Sequence, residues 1–170
     1  PVFPQAARTA LAACYPERAG ILTHRLAGHP LFALESLLAL SQRMRPVDVE
    51  KNTGSLPVGI APEDVPQNGL SVADTIRSIE ENGSWMVLKF VEQDPVYRAL
   101  LEDVLGELRT LVEPCTGAML KLEGFIFISS PGAVTPFHFD PEHNILLQMR
   151  GSKTMTVFPA GDPAIAHGRL

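Results

Sequence analysis

The sequence has 170 residues, enough for one domain of ordinary size with a buried core. Its 45% hydrophobic and 19% charged residues describe a soluble globular protein and exclude a disordered or fibrous chain. The formal net charge of −5 argues against nucleic acid as a direct partner, because proteins that bind nucleic acid usually carry a basic surface.

Cysteine usage and hydropathy indicate the compartment. Cys14 and Cys115 stand far apart and outside any CxxC spacing, so the sequence predicts neither a disulfide framework nor a zinc knuckle. No apolar run approaches the ~20 residues that span a bilayer, and the first residues lack the basic-then-apolar pattern of a signal peptide. We therefore expect a cytoplasmic protein with reduced thiols and no membrane partner.

The first part of the chain, up to Gly117, mixes helical and extended patterns. Residue spacing predicts helices over 4–15 and 31–44, a helix that opens at Ser71, and strands over 20–26 and 85–91. Residues 52–68, which include prolines at 57, 62 and 66, are predicted to form a long connection. We expect residues 1–117 to pack on the β-rich region that follows.

The longest helical pattern covers residues 95–112. Asp94 precedes it and suits an N-cap, with Pro95 at the first helical position. The leucines and valines of this segment recur at the spacing of one wide apolar face. Such a face favours packing on a sheet, and a homodimer contact through the same leucines is the alternative.

After Gly117 the pattern changes to short strands joined by tight turns. Aromatic and β-branched runs predict strands over residues 123–130, 135–140, 144–150 and 153–158. Pro131 and Gly132 suit the first of the turns. Short strands in such close succession favour an antiparallel sandwich or barrel.

A His-x-Asp pair, His138 and Asp140, falls in the second of these predicted strands. Residues i and i+2 of a strand point to the same face, so both side chains could reach one metal ion. An unpaired carboxylate inside a β-fold is unfavourable, and a metal ion would compensate for that cost. Imidazole and carboxylate ligands with open coordination positions suit Fe(II), as in the arrangement of two histidines and one carboxylate. We therefore expect His138 and Asp140 to bind Fe(II).

Three further polar residues near this pair suit a small dicarboxylate. Lys153 follows the turn between the last two predicted strands, where it could present an ammonium group beside the metal. Thr135 and Asn144 add two neutral hydrogen-bonding groups nearby in sequence. One cation with two such groups could hold a dicarboxylic acid, and a surface lysine at a hairpin end is the alternative interpretation of Lys153.

The segment from Phe125 onward resembles the metal-binding half of the JmjC and cupin-like 2-oxoglutarate oxygenases, the group that includes the asparaginyl hydroxylase acting on hypoxia-inducible factor. About a fifth of the chain carries the resemblance. The matching residues are Thr135-Pro136-Phe137-His138-Phe139-Asp140, Asn144, Gly151-Ser152-Lys153 and Val157-Phe158-Pro159.

The resemblance implies a fold class. It is α+β with a mainly β core, in which a double-stranded β-helix of the jelly-roll type is present only in part. Residues 118–170 would form the first half of this barrel, and residues 1–117 would wrap it with helices and strands. The two regions would make one structural unit.

The resemblance also implies an activity, that of a non-haem hydroxylase (dioxygenase) dependent on Fe(II) and 2-oxoglutarate. His138 and Asp140 would be metal ligands, Lys153 would pair with the distal carboxylate of 2-oxoglutarate, and Thr135 and Asn144 would assist. Oxygen is the other co-substrate, and the substrate would be a protein or a small molecule. In this group a histidine supplies the third ligand, and we expect it beyond Leu170 rather than at His143 or His167.

Two other functions fit the same residues. A cupin-like regulatory protein could bind a metal or a ligand on the barrel without turnover. A structural β-domain could carry the His-x-Asp pair by chance.

Overall fold

The computed structural model describes residues 1–54, 64–138 and 140–158, and its described part is α+β. Within these ranges, short 3₁₀ turns lie at Pro30–Phe32, Pro46–Asp48 and Val91–Gln93. The helices are α1 (Gln5–Cys14), α2 (Leu34–Arg43), α3 (Val72–Arg77) and α4 (Pro95–Thr116), and the strands are β1 (Val49–Thr53), β2 (Ser84–Leu88) and β3 (Ile126–Ser129).

Local capping explains where two of the helices begin. Ser71 accepts a hydrogen bond from the backbone N–H of Asp74 at 3.0 Å and caps α3. Asp94 accepts from the N–H of Val96 at 3.0 Å and caps α4, whose first residue is Pro95. These starts confirm the predicted helices, and α1 and α2 also form close to their predicted bounds. Among the described residues, no helix combines the length and apolar character needed to cross a bilayer.

The three strands form one antiparallel sheet in the order β1-β2-β3. Alternation along the strands gives the sheet two faces. The helix-side face carries Met86, Leu88 and Ile128, which pack with residues of α2 and α3. The second face carries Asn52 opposite Trp85 and Val87 opposite Phe127.

Apolar packing divides into two clusters. The first joins α2, α3 and the helix-side face of the sheet, and Tyr97 of α4 belongs to it. The second cluster packs Val104, Leu108 and Val112 of α4 against α1 and its neighbours. The apolar face of α4 therefore contacts the first cluster, which contains the sheet residues, only near the start of the helix. This corrects the prediction that the apolar face of α4 packs on a sheet. A homodimer contact through α4 stays a prediction.

Several extended segments differ from the prediction. Residues 20–26 form no strand, and β1, which is not among the predicted strands, extends into the predicted connection that begins at residue 52. No described residue from Thr135 to Phe158 belongs to a strand, so the described part contains no double-stranded β-helix. A strand needs a partner for its backbone hydrogen bonds, and within the described ranges β3 finds one in β2 while the later segments find none.

The domain boundary predicted at residue 117 falls between two paired strands of one sheet. β3 follows that position in sequence and pairs with β2, which precedes it. The sheet thus joins the two predicted regions, whose boundary stays a prediction. Most of the predicted connection over residues 52–68 lies outside the described residues.

Candidate metal and co-substrate site

The structure brings His138 and Asp140 together on the exposed segment after β3. Nε2 of His138 lies 3.6 Å from Oδ2 of Asp140, and the side chains are 57% and 48% exposed. At that separation the atoms are too far apart for a direct hydrogen bond. Two ligands that each stand about 2.1 Å from a metal are roughly 3.0 Å apart at a right angle. A small inward movement of either side chain would therefore let both atoms bind one ion.

The ring of His138 is held in a tautomer that suits a metal ligand. Its Nδ1 atom lies 2.9 Å from the carbonyl oxygen of Pro136. Because a carbonyl oxygen can only accept, Nδ1 carries the proton and donates. In the neutral ring the lone pair then lies on Nε2, the atom nearest Asp140. Metal-bound histidines usually have this backbone support on the other ring nitrogen.

Asn144 holds the carboxylate of the pair. Its side-chain Nδ2 donates to Oδ2 of Asp140 at 2.8 Å, and both residues are exposed. The amide thus restrains the same oxygen that faces His138. Its predicted assistance to the co-substrate stays a prediction.

Lys153 and Thr135 differ in solvent exposure. Nζ of Lys153 lies 5.9 Å from the ring centroid of Phe127 on β3, a cation–π distance, and Lys153 is exposed rather than buried. Thr135 is half-buried and follows Val134, whose N–H donates to the carbonyl of Gly54 at 2.9 Å. Lys153 therefore lies against the sheet as an accessible cation.

The side chain of His143 contacts Tyr15, away from the His138 and Asp140 pair. Its Nδ1 lies 3.2 Å from the hydroxyl of Tyr15, and the two rings are 5.4 Å apart. The same hydroxyl lies 2.9 Å from Oγ1 of Thr116 at the end of α4. Within the described ranges no three His, Cys, Asp or Glu side chains form a metal-binding group, and His167 lies outside those ranges.

A separate cavity of about 320 Å³ lies between the end of α2 and the start of α4. Its charges form two pairs, Arg43 with Asp94 at 2.7 Å and Arg45 with Asp48 at 2.7 Å. The hydrogen bond from Arg45 is the main cause that lowers the pKa of Asp48. Burial acts to raise the pKa of Asp94, but bonds from Arg43 and a backbone N–H outweigh it and lower the value. Because each of these four charged side chains pairs with an opposite charge, the cavity is a poor binding site for a charged ligand.

Two residues of interest escaped the sequence analysis, Asn52 and Trp85 on the second face of the sheet. Asn52 falls in the predicted connection over residues 52–68. Trp85 falls in the predicted strand over residues 85–91, and the sequence predicts no further role for it. Only the register, in which the two residues face each other, brings them together.

Comparison of the chain with family models, with curated proteins and with solved structures finds no match.

Proposed function

We propose that the chain belongs to a hydroxylase dependent on Fe(II) and 2-oxoglutarate, of the JmjC and cupin-like type. The observation that carries the proposal is the His138 and Asp140 pair, whose nearest donor atoms are 3.6 Å apart. Support comes from the backbone carbonyl on Nδ1 of His138 and from the Asn144 amide on Asp140. Both contacts restrain the two side chains, as hydrogen bonds to metal ligands do.

In this proposal Lys153 binds the distal carboxylate of 2-oxoglutarate through its ammonium group. Thr135 contributes a hydroxyl, and Asn144 contributes its carboxamide to the co-substrate or, through Asp140, to the metal. Iron bound by His138 and Asp140 would supply oxygen activation, with 2-oxoglutarate as the electron donor. The residues of the chain bind and orient the reactants, and the hydroxylated substrate is a protein or a small molecule.

We also propose that the segment from Val134 to Phe158 contributes to a double-stranded β-helix. Its apolar side chains support this, because many are more than one-third exposed and a closed barrel would bury them. Met155 and Val157, two residues apart, are 57% and 63% exposed. Phe137 and Phe158, 5.8 Å apart between ring centroids, add an aromatic pair to the same segment.

A second candidate function is metal or ligand binding without turnover. The exposure of His138 and Asp140, 57% and 48%, favours it, because oxygenase chemistry depends on exclusion of water from the metal. The two candidates share the metal site and differ in whether 2-oxoglutarate is consumed.

Oxygen-dependent formation of succinate from 2-oxoglutarate tests the proposal, since it requires no knowledge of the hydroxylated substrate. The full-length protein is supplied with Fe(II) and 2-oxoglutarate, and succinate is quantified after oxygen is admitted. We expect succinate from the wild type and from His143→Ala, the matched histidine control, and at least a hundredfold less from His138→Ala. Bound iron without succinate would favour the second candidate, and equal succinate from His138→Ala would exclude these ligands.

A further inference from the structure

The cavity between α2 and α4 has a strained residue in its wall. Phe90 lines this cavity and has φ 57° and ψ 45°, which is the left-handed region of backbone conformation. Among the described residues, Phe90 is the only one other than glycine with a positive φ. Bulky side chains rarely adopt this conformation because the Cβ atom crowds the backbone, and strain of this kind collects at functional sites. A role for the Phe90 ring at the cavity would explain why the strain is retained.

The surrounding residues hold the Phe90 ring in place. The N–H of Val91 donates to the carbonyl of Gly124 at 2.9 Å, and the N–H of Gln93 donates to the carbonyl of Phe90 at 3.1 Å. The ring of Phe125 packs beside the Phe90 ring, with 5.1 Å between the centroids. Because these contacts lie within the protein, this wall of the cavity is formed before any ligand arrives.

The charged side chains of the cavity make it neutral as a whole. The carboxylates of Asp94 and Asp48 are only 9% and 6% exposed, whereas their partners Arg43 and Arg45 are 52% and 64% exposed. An anion would have to compete with a buried carboxylate for an arginine, and a cation would have to compete with an arginine for a carboxylate. An uncharged ligand avoids both costs and still meets the accessible guanidinium groups at the rim.

The lining residues favour an aromatic ring as that uncharged ligand. Met44, Phe90 and Pro95 give the cavity its apolar surface. An aromatic ring packs well against a second ring and against a thioether sulfur, and a guanidinium group can lie over its face. The volume of about 320 Å³ also suffices, because an apolar cavity of roughly 150 Å³ already holds benzene.

We propose that this cavity binds an uncharged molecule that carries one aromatic ring, with Phe90, Met44 and Arg45 as binding residues. The ligand ring lies against Phe90 and Met44. The guanidinium group of Arg45 covers the face of the ring and keeps its pair with Asp48. The site uses neither His138 nor Asp140, so the inference is independent of the proposed function.

Phenol is the probe, and cyclohexanol and benzoate are its matched controls. Cyclohexanol has the hydroxyl group and the six-membered ring without the aromatic electrons, and benzoate has the aromatic ring with a negative charge. Each compound is titrated into the full-length, metal-free protein while NMR follows the backbone amides. We expect phenol to bind with a dissociation constant of about 1 mM and each control to bind about fivefold more weakly.

The same titration locates the site. Saturable shifts with phenol should appear at the amides of Met44, Gln93 and Asp94, which line the cavity. Equal affinity for phenol and either control would overturn the inference, and so would the absence of saturable shifts at these amides.

A variant of Phe90 tests the strained wall. Phe90→Asn removes the ring and supplies a residue that tolerates the left-handed region, so we expect the fold to be kept. Phenol should bind about tenfold more weakly to this variant. Wild-type affinity for phenol in Phe90→Asn would overturn the inference.

A second variant leaves the Phe90 wall intact. Arg45→Lys keeps a positive charge beside Asp48 and replaces the planar guanidinium group with an ammonium group, so phenol should bind about threefold more weakly at a nearly unchanged melting temperature. The matched control is Arg109→Lys, the same change on α4 at a residue that pairs with Glu113 at 3.6 Å, and it should bind phenol as the wild type does. Equal affinity for phenol in Arg45→Lys and Arg109→Lys would contradict the inference.

Discussion

The side-chain amide of Asn144 donates to Oδ2 of Asp140 at 2.8 Å, and that oxygen is the one that faces His138. An exposed carboxylate would otherwise turn freely about its side-chain bonds. The amide limits this freedom and leaves the Asp140 carboxylate oriented before any ion arrives. Asn144 is therefore a positioning residue for the proposed ligand.

Removal of this amide should weaken metal binding. In Asn144→Leu we expect the affinity for Fe(II) to fall by about 10-fold to 100-fold, the usual effect of losing a hydrogen bond to a metal ligand. Anaerobic equilibrium dialysis measures the affinity. The matched control is Gln148→Leu, which loses an amide that donates to the carbonyl of Arg150 at 2.8 Å. Equal losses in both variants would contradict the positioning role.

Glu107 should make stability depend on pH. Burial acts to raise its pKa, but hydrogen bonds from the N–H groups of Phe3 and Val2, at 2.9 Å and 2.5 Å, outweigh it and hold the pKa below its ordinary value. A lowered carboxyl pKa contributes stability that is present above the unfolded value, about 4.3, and is lost as pH falls through the folded value.

The variant Glu107→Gln should remove this pH-dependent contribution. We expect its melting temperature to lie below that of the wild type near neutral pH and the two to converge in acid. Thermal unfolding across the acidic range measures the difference. Glu113→Gln is the control, because Glu113 lies on the same helix and pairs with Arg109 at 3.6 Å. A constant difference between wild type and Glu107→Gln at all pH values would refute this account.

Ser130 should stabilise the junction between β2 and the end of β3. Its hydroxyl accepts from the N–H of Ser84 at 2.8 Å and donates to the carbonyl of Ile79, and the residue is 7% exposed. In Ser130→Ala the N–H of Ser84 loses one of its two acceptors and the carbonyl of Ile79 loses the hydroxyl that donates to it, so we expect the free energy of unfolding to fall by about 1–3 kcal/mol. Chemical denaturation measures this change.

The neighbouring serine provides the control for that experiment. Ser129 is exposed at the end of β3, and Ser129→Ala should change the free energy of unfolding by about 0.5 kcal/mol or less. Similar losses in the two variants would show that the hydrogen bonds of Ser130 are not the cause.

Local signals in the sequence predicted the helices well. Ser71 and Asp94 cap helices through contacts with residues two or three positions away, so a short stretch of sequence contains the necessary information. Strands depend on distant partners instead. β1, with the mainly polar sequence Val-Glu-Lys-Asn-Thr, forms because it pairs with β2, and its own composition gives little sign of it.

The contacts of the candidate site are likewise of two kinds, those between residues close in sequence and those between distant segments. His138 and Asp140 are two residues apart, so their approach needs no contact between distant segments, and it occurs although neither of these two residues lies in a strand. The contact of Lys153 with Phe127, and the facing pair of Asn52 and Trp85, depend on how distant segments meet. No local pattern could have predicted them.

The stoichiometry of Fe(II) binding under anaerobic conditions tests the central claim most directly. In the full-length protein we predict one ion bound to the wild type and to His143→Ala, whose histidine contacts Tyr15, and none bound to His138→Ala or Asp140→Ala. Wild-type stoichiometry in either of the last two variants, or no iron bound by the wild type, would contradict a metal site at His138 and Asp140.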